Sequence, residues 1–166
     1  MPVTPGAAPV LVLGIGNELL GDDGAGVVAA RCLAASPMPG VDVLDGGTVK
    51  LMLMPYIAGR QAVLVLDAVS PGEGAPGDVV VIGDGDVRRG HGVRATPYDI
   101  GLVDALSAAE LAGCAPAQVA LVGVVPESVT KRWSLSPIVA SRMEAMVDVA
   151  RAVLAQWGVQ VPGRRV

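Results

Sequence analysis

Five short runs of aliphatic residues recur along the chain, and segments with helical spacing separate most of them. The runs occupy residues 10–14, 41–45, 61–69, 79–83 and 118–125. Runs this short and this rich in Val and Leu are typical of parallel strands that are buried on both faces. Since parallel strands need crossover connections, the order predicts a three-layer α/β fold. We expect a mostly parallel, twisted five-stranded sheet with helices on both faces.

The segments between the runs predict the helices. Apolar residues at helical spacing indicate helices over residues 25–35, 49–59, 98–113 and 136–158. We expect Pro55 to kink or restart the second of these helices. In the last helix, Ser136 is a suitable N-cap and Gly158 a suitable end. Residues 84–97 are predicted to be the longest irregular segment.

Length and composition favour one domain with an aliphatic core. A chain of 166 residues fits a single domain over residues 1–166, which we expect to be flexible at 1–8 and 160–166. Hydrophobic residues make up 52% of the chain, but aromatic residues only 2%, and Phe is absent. The core must therefore be built from Val, Leu, Ala, Ile and Met.

The net charge limits which kinds of partner the protein binds, and the cysteine content indicates its cellular compartment. A net charge of −4 disfavours nucleic acid, which binds basic surfaces. No run approaches the roughly 18 apolar residues of a membrane span, so we expect no membrane partner. Cys32 and Cys114 are far apart and form no CxxC pair. We therefore expect two buried, reduced thiols in a cytoplasmic protein.

The loop "GIGNELLGDDGAG" (14–26) follows the first strand and suggests either phosphate binding or cation binding. Gly14 and Gly16 match the start of a dinucleotide fingerprint, but the next glycine, Gly21, comes about two residues too late. The loop also carries acids where a pyrophosphate would lie, and no Walker sequence is present. A nucleotide-binding module is therefore the third choice.

Aspartates follow the first three predicted strands, which favours the cation. Asp23 lies in the loop after the first strand, Asp45 ends the second and Asp67 ends the third. Ligands of such folds bind beyond the carboxyl ends of the strands. Two carboxylates about 4 Å apart repel by about 4 kcal/mol at an effective dielectric near 20, so a convergent pair must share a proton, gain a basic neighbour or bind a metal.

The alternative reading is that these aspartates only cap helices or turns. Asp22 is the better candidate for a cap, because it can face the start of the following helix. From spacing alone, both readings stay open for Asp23 and Asp67.

An ordered set of motifs resembles the maturation endopeptidases of [NiFe]-hydrogenases. Each motif is weak alone, but together they cover roughly residues 9–160. They are "GIGNELLGDDGAG", "DGGT", "VLVLDAV", "YDIGLVDALSAAELAG", "LVGVVPESV" and "LSPIV".

The resemblance implies a hydrolase of aspartyl type. Such enzymes remove a C-terminal extension from the hydrogenase large-subunit precursor once nickel has been inserted, and the substrate's nickel serves as the recognition handle. Carried over by motif, the catalytic and metal-binding acids are Asp23 and Asp67. The "DGGT" motif implies that Gly46, Gly47 and Thr48 bind substrate. Nickel is supplied by the precursor, and no tightly bound metal of the protein's own is expected, since neither HExxH nor a cysteine cluster occurs.

The third metal ligand departs from the family pattern. "TPYDIGL" places Tyr98 where the family has histidine. A phenol that titrates near 10 is a poorer ligand at neutral pH than imidazole. His91, the single histidine of the chain, is the alternative third ligand. The substitution leaves open a second function, that of a non-catalytic checkpoint protein that binds the nickel-loaded precursor.

Overall fold

The computed structural model describes residues 7–47, 52–93 and 101–163. The strands are β1 (Val10–Ile15), β2 (Val41–Gly47), β3 (Ala62–Ala68), β4 (Val79–Ile82) and β5 (Gln118–Val124). The α-helices are α1 (Ala25–Ala34), α2 (Met54–Ile57), α3 (Asp84–Arg88), α4 (Leu102–Leu111) and α5 (Pro137–Gln156). A 3-10 turn, Gly21–Gly24, leads directly into α1.

The five strands form one sheet in the order β2-β1-β3-β5-β4. All neighbouring pairs are parallel except β4 and β5, which are antiparallel. The predicted three-layer, mostly parallel sheet is therefore confirmed. The strand order reverses between β1 and β3, so the crevice at their carboxyl ends is the place where this architecture binds ligands.

Alternate residues of the central strands supply two cores, one on each face of the sheet. Leu64 and Leu66 of β3 belong to the core that includes side chains of α1 and α5. Val63 and Val65 belong to the core on the opposite face, with side chains of α2 and α4. Val, Leu, Ala, Ile and Met make up the buried hydrophobic residues, as the composition requires.

The helix boundaries differ from the expectations at three places. Within the segment predicted to be irregular, residues 84–88 form α3. Asp84 pairs with Arg88 one turn later and also accepts a hydrogen bond from the backbone N–H of Val119 in β5. The helix α2 spans only Met54–Ile57 and has Pro55 in its first turn, and residues 49–51 of the predicted helix lie outside the described residues. The helix α4 begins at Leu102, and residues 98–100 lie outside the described residues.

The expectation that both cysteines are buried was wrong. Cys32 is exposed on α1, and Cys114 is partly exposed in the loop after α4. Both thiols are free. In α1 the core-facing positions around Cys32 are taken by Ala29, Ala30 and Leu33, which leaves Cys32 on the solvent side.

Among the helices of the described residues, none is both long enough and apolar enough to span a bilayer.

Two glycines bring α1 into direct contact with the strand ends. A Cβ atom on Gly14 would lie 2.5 Å from the Cβ of Ala30 in α1. A Cβ atom on Gly26 would lie 2.1 Å from the carbonyl oxygen of Leu66 and 2.5 Å from that of Ile15. The first turn of α1 therefore rests on the carboxyl ends of β1 and β3, and the turn before it is held over the crevice.

We expect Gly26→Ala to lower the free energy of unfolding by about 2 kcal/mol, because a methyl group forces α1 away from a backbone that cannot give way. Chemical denaturation measures the change. Gly83→Ala is the matched control, since Gly83 has an extended backbone and nothing lies within 4 Å of its added Cβ. An equal, small effect of both substitutions would contradict the close packing of α1.

Candidate functional site

The carboxyl ends of β1 and β3 bring two of the predicted residues to one crevice. Asp23 lies in the 3-10 turn after β1, and this turn packs against β3. Asp67 is the penultimate residue of β3. Because Gly14 of β1 pairs with Leu66 of β3, Asp67 stands one residue beyond the last registered pair of the two strands. Both acids therefore lie at the point where the strand order reverses.

Asp23 is half-buried and closes the glycine loop on itself. The backbone N–H of Asn17 donates a hydrogen bond to its Oδ2 at 2.9 Å. Gly16 lies against the Asp23 backbone, since a Cβ on Gly16 would stand 1.9 Å from the Asp23 carbonyl oxygen. A loop amide that would face a phosphate thus serves a carboxylate of the chain itself, which argues against the nucleotide-binding alternative.

Asp67 is held by the strand that carries it. Its side chain is only 6% exposed, and its Oδ1 accepts a hydrogen bond from the N–H of Ala68 at 2.8 Å. The residue pairs with Gly123 of β5 in the sheet. The backbone that carries this carboxylate is therefore part of the central strands of the sheet.

Asp22 is a structural residue, and its role differs from the expected one. The carboxylate is fully buried and does not cap α1. It accepts hydrogen bonds from the backbone N–H groups of Glu127, Ser128 and Ser136 and from the Ser136 hydroxyl, at 2.7–3.0 Å. Ser136 in turn is the N-cap of α5, as predicted, and accepts from the N–H of Val139. Asp22 therefore ties the turn that carries Asp23 to the loop before α5.

The environment of Asp22 keeps it charged. Burial raises the pKa of this carboxyl, but the hydrogen bonds from Ser136, Ser128 and Glu127 together outweigh burial and hold the pKa below its usual value of 3.8. At neutral pH the residue is thus a buried carboxylate whose charge is met by donors of the chain.

A cleft of about 220 Å³ lies between the glycine loop and the end of β2. Arg31 of α1 joins its two walls: the guanidinium donates to both oxygens of Glu18 at 2.8 Å and to Asp45 at 3.0 Å. These hydrogen bonds raise the pKa of Arg31. The cleft is lined by residues of the glycine loop, α1 and β2, namely Gly16, Asn17, Glu18, Leu19, Val27, Asp45 and Gly47.

The remaining predicted residues are distributed unevenly around this crevice. Gly46 and Gly47 end β2, and Gly47 lines the cleft. Thr48 and Tyr98 lie outside the described residues.

His91 follows α3 with an exposed side chain, and its backbone N–H donates to the carbonyl of Asp86. The carbonyl of Val93, two residues after His91, accepts a hydrogen bond from the hydroxyl of Ser70. Ser70 lies three residues after Asp67 in the chain. The loop of His91 thus returns to the end of β3.

The described residues hold no group of three or more His, Cys, Asp or Glu side chains suited to a metal ion. Asp23 and Asp67 supply carboxylate oxygens, which are hard donors, and a further ligand has to come from outside this set.

A larger cavity, of about 460 Å³, lies elsewhere, between α1 and α5. Its lining includes Cys32, Met143 and Arg151 but none of the candidate residues. The smaller cleft beside the glycine loop is therefore the better candidate for a functional site.

The sequence missed the partners of Asp22 and the role of Arg31. The adjacent acids Asp22 and Asp23 were a visible signal, but the donors that bind Asp22 lie more than a hundred residues away in the chain. Arg31 showed no signal, because its partners belong to a loop and to a strand end that only the fold brings together.

Comparison with known proteins identifies a consistent set of relatives. Residues 28–153 match the sequence model of the family described as "Hydrogenase maturation protease". The Hydrogenase 2 maturation protease of Escherichia coli is 35% identical over 153 residues, which cover 91% of this chain and 93% of that protein. The hydrogenase expression/formation protein HupD of Rhodobacter capsulatus is 36% identical, with coverage of 92% and 74%.

Solved structures give the same picture. The hydrogenase maturating endopeptidase HybD from E. coli superposes with a TM-score of 0.85 at 35% identity, covering 91% of this chain and 94% of that one. The [NiFe] hydrogenase maturation protease HybD from Thermococcus kodakarensis gives a TM-score of 0.71 at 27% identity, with coverage of 87% and 97%.

We expect Asp22→Asn to lower the free energy of unfolding by roughly 3 kcal/mol at pH 7. An amide cannot accept from all four donors and turns its NH₂ group towards at least one of them. Urea denaturation of both proteins measures the difference, with Asp86→Asn as the control, since Asp86 forms only an exposed ion pair with Arg89.

The same pair of proteins tests the protonation state of Asp22. Its pKa in the folded protein lies below 3.8, so its contribution to stability is complete above that value and is lost as the pH falls through the lowered pKa. The stability gap between wild type and Asp22→Asn should therefore be constant from pH 5 to pH 8 and should narrow below roughly pH 4. A gap that widens in acid would show that Asp22 is protonated in the native state.

Proposed function

Because the chain belongs to the hydrogenase maturation protease family, we propose that it removes the C-terminal extension of a [NiFe]-hydrogenase large-subunit precursor after nickel insertion. The observation that carries this proposal is the position of Asp23 and Asp67 at the crevice where the strand order reverses. Beside it lies a cleft lined by Gly16 and Gly47. Neither acid belongs to the apolar cores on the two faces of the sheet.

In the proposed reaction, the precursor's nickel is part of the substrate. Asp23 and Asp67 bind it, and Tyr98 is the proposed third ligand, with His91 as the alternative. The carboxylates of Asp23 and Asp67 are hard, anionic ligands that suit a divalent ion whose other ligands come with the precursor. Binding the ion positions the scissile peptide beside the same carboxylates.

The peptide bond is then hydrolysed by water. The water oxygen forms a bond to the carbonyl carbon, the C–N bond breaks, and the released amine gains a proton. We assign proton transfer from the water to one of the two aspartates, acting as a general base. Asp67 is the better suited of the two for precise placement, because it is fixed within a central strand.

The cleft between the glycine loop and β2 is proposed to receive the chain at the cleavage site. Asp45 and Gly47 line one wall and Gly16 with Asn17 the other, and Gly46 and Thr48 are proposed to contribute to substrate binding from the same motif. Glycine backbones allow a substrate chain to approach closely. The free thiols of Cys32 and Cys114 fit a reducing compartment, so the cytoplasm is the proposed place of action.

Asp67→Asn and Asp23→Asn should each reduce processing at least about 100-fold, because each removes a charge from the reacting centre. Purified protein is mixed with nickel-loaded precursor, and the mass of the large subunit is read by mass spectrometry. Asp86→Asn is the matched control and should process at the wild-type rate, because it changes an exposed side chain of α3, a helix held at the amino-terminal end of β5 by Asp84.

The same assay distinguishes protease from checkpoint. Wild-type protein that binds the nickel-loaded precursor without shortening it would support the checkpoint function and overturn the proposed reaction. Precursor without nickel is included in parallel. Equal processing of nickel-free and nickel-loaded precursor would contradict the role of nickel as the recognition handle.

A further inference from the structure

We infer that a surface next to the cleft docks the body of the precursor: Leu19 of the glycine loop together with Lys131, Arg132 and Trp133, which we call the docking tip. This inference rests on the proposed function for the identity of the partner. It commits to one kind of contact, an apolar side chain on the precursor surrounded by acidic residues.

The exposure of Trp133 is the first observation. Its side chain is 88% exposed in a chain that has two tryptophans, no Phe and only 2% aromatic residues. The other tryptophan, Trp157, is partly buried and packs against the core. Leu19, on the facing loop, is 52% exposed. Large exposed apolar side chains placed together mark interaction sites, and tryptophan is among the residues that most often dominate binding energy.

The second observation is that backbone hydrogen bonds hold the docking tip in a fixed position relative to the glycine loop of the candidate site. The N–H of Arg132 donates to the carbonyl of Leu19 at 3.1 Å, and the N–H of Gly21 donates to the carbonyl of Arg132 at 2.9 Å. The buried carboxylate of Asp22 holds the same loop at Glu127 and Ser128. The tip is thus pre-organised relative to Asp23, which reduces the entropy lost on binding.

The third observation is a hollow beside the tryptophan. Trp133 lines this hollow of about 70 Å³ together with Glu18, Gly21, Gly24, Val28, Ser134 and Leu135. The hollow lies on the turn that carries Asp23, and its size suits a single small apolar side chain. A partner residue inserted here would be positioned directly beside the proposed reacting centre.

Charge indicates the surroundings of that partner residue. Lys131 and Arg132 are both exposed at the tip, whereas the whole chain has a net charge of −4. Glu127 lies at the base of the same loop, and Glu18 is already paired with Arg31. The tip is therefore a local basic site on an acidic protein, and acidic side chains on the precursor would complement it and speed association.

The test measures binding and turnover separately. Trp133→Ser should weaken the affinity for nickel-loaded precursor about tenfold or more and raise KM accordingly, while kcat stays within about twofold. Leu111→Ser is the matched control, because Leu111 is 92% exposed at the end of α4, next to the loop that leads into the amino-terminal end of β5. Affinity is measured by calorimetry on an Asp67→Asn background, where processing is slowed at least about 100-fold, and each variant is compared with Asp67→Asn alone. Thermal unfolding verifies that each variant is folded.

Charge reversal gives an independent readout. Lys131→Glu with Arg132→Glu should slow association and reverse its dependence on salt, whereas Arg89→Glu on α3 should not. Unchanged precursor affinity of both tip variants would overturn the inference. So would a wild-type dimer that Trp133→Ser converts to a monomer without loss of precursor affinity, because the occupant would then be a second copy.

The two proposals fail in different ways. If the wild-type protein binds precursor without cutting it, the proposed reaction falls, but the affinity loss of Trp133→Ser still tests the docking tip. If the wild-type protein cuts the precursor and Trp133→Ser has an unchanged KM, the inference of a docking tip is overturned, whereas the proposed reaction is supported.

Discussion

The buried carboxylate of Asp22 is the interaction on which the candidate site depends. Its oxygens receive hydrogen bonds from two distant parts of the chain, the loop at Glu127 and Ser128 and the N-cap of α5 at Ser136. A buried charge is tolerated only when it is fully hydrogen-bonded, and here the donors belong mainly to the backbone. Such an arrangement specifies one relative position for the glycine loop and the loop before α5. The neighbouring residue, Asp23, is placed as a consequence.

The glycines of the site complement this constraint. Gly26 lets α1 rest on the carbonyl groups of Leu66 and Ile15, and Gly16 lets the loop fold against the backbone of Asp23. A side chain at either position would lift the acidic turn from the sheet. Close backbone contact and one buried carboxylate together fix the position of the glycine loop. A site built from few residues requires such a fixed position.

Much of the fold could be predicted, because it follows from local patterns, and the same patterns predict where the candidate site lies. Five apolar runs with crossover segments define a parallel sheet, and acids that end such strands must meet at one edge. Ser136 was predictable as an N-cap because its side chain acts within its own helix. The short helix α3 was missed, since Asp84 is stabilised there by the N–H of Val119 in a strand that lies far along the chain.

The division of labour between the two adjacent aspartates could not be predicted from the sequence. The expectation that Asp22 caps α1 was wrong, because its carboxylate binds the loop before α5 and the N-cap residue of that helix. The donors of Asp22 are contributed by residues up to 114 positions away, and no local pattern reports such contacts. The same limit applies to Arg31, whose partners Glu18 and Asp45 belong to different elements.

The fork of Arg31 also determines how easily the cleft can change its width. One guanidinium spans the gap between the glycine loop and β2, and it does so in contact with solvent, where water and salt weaken ion pairs. The backbones of the two walls are also joined directly, because the N–H of Gly16 donates to the carbonyl of Gly47 at 3.0 Å, whereas the side chains of Glu18 and Asp45 are joined through this solvated guanidinium. The charged side chains at the cleft can therefore separate to admit a ligand, while the backbone contact between its two walls is kept.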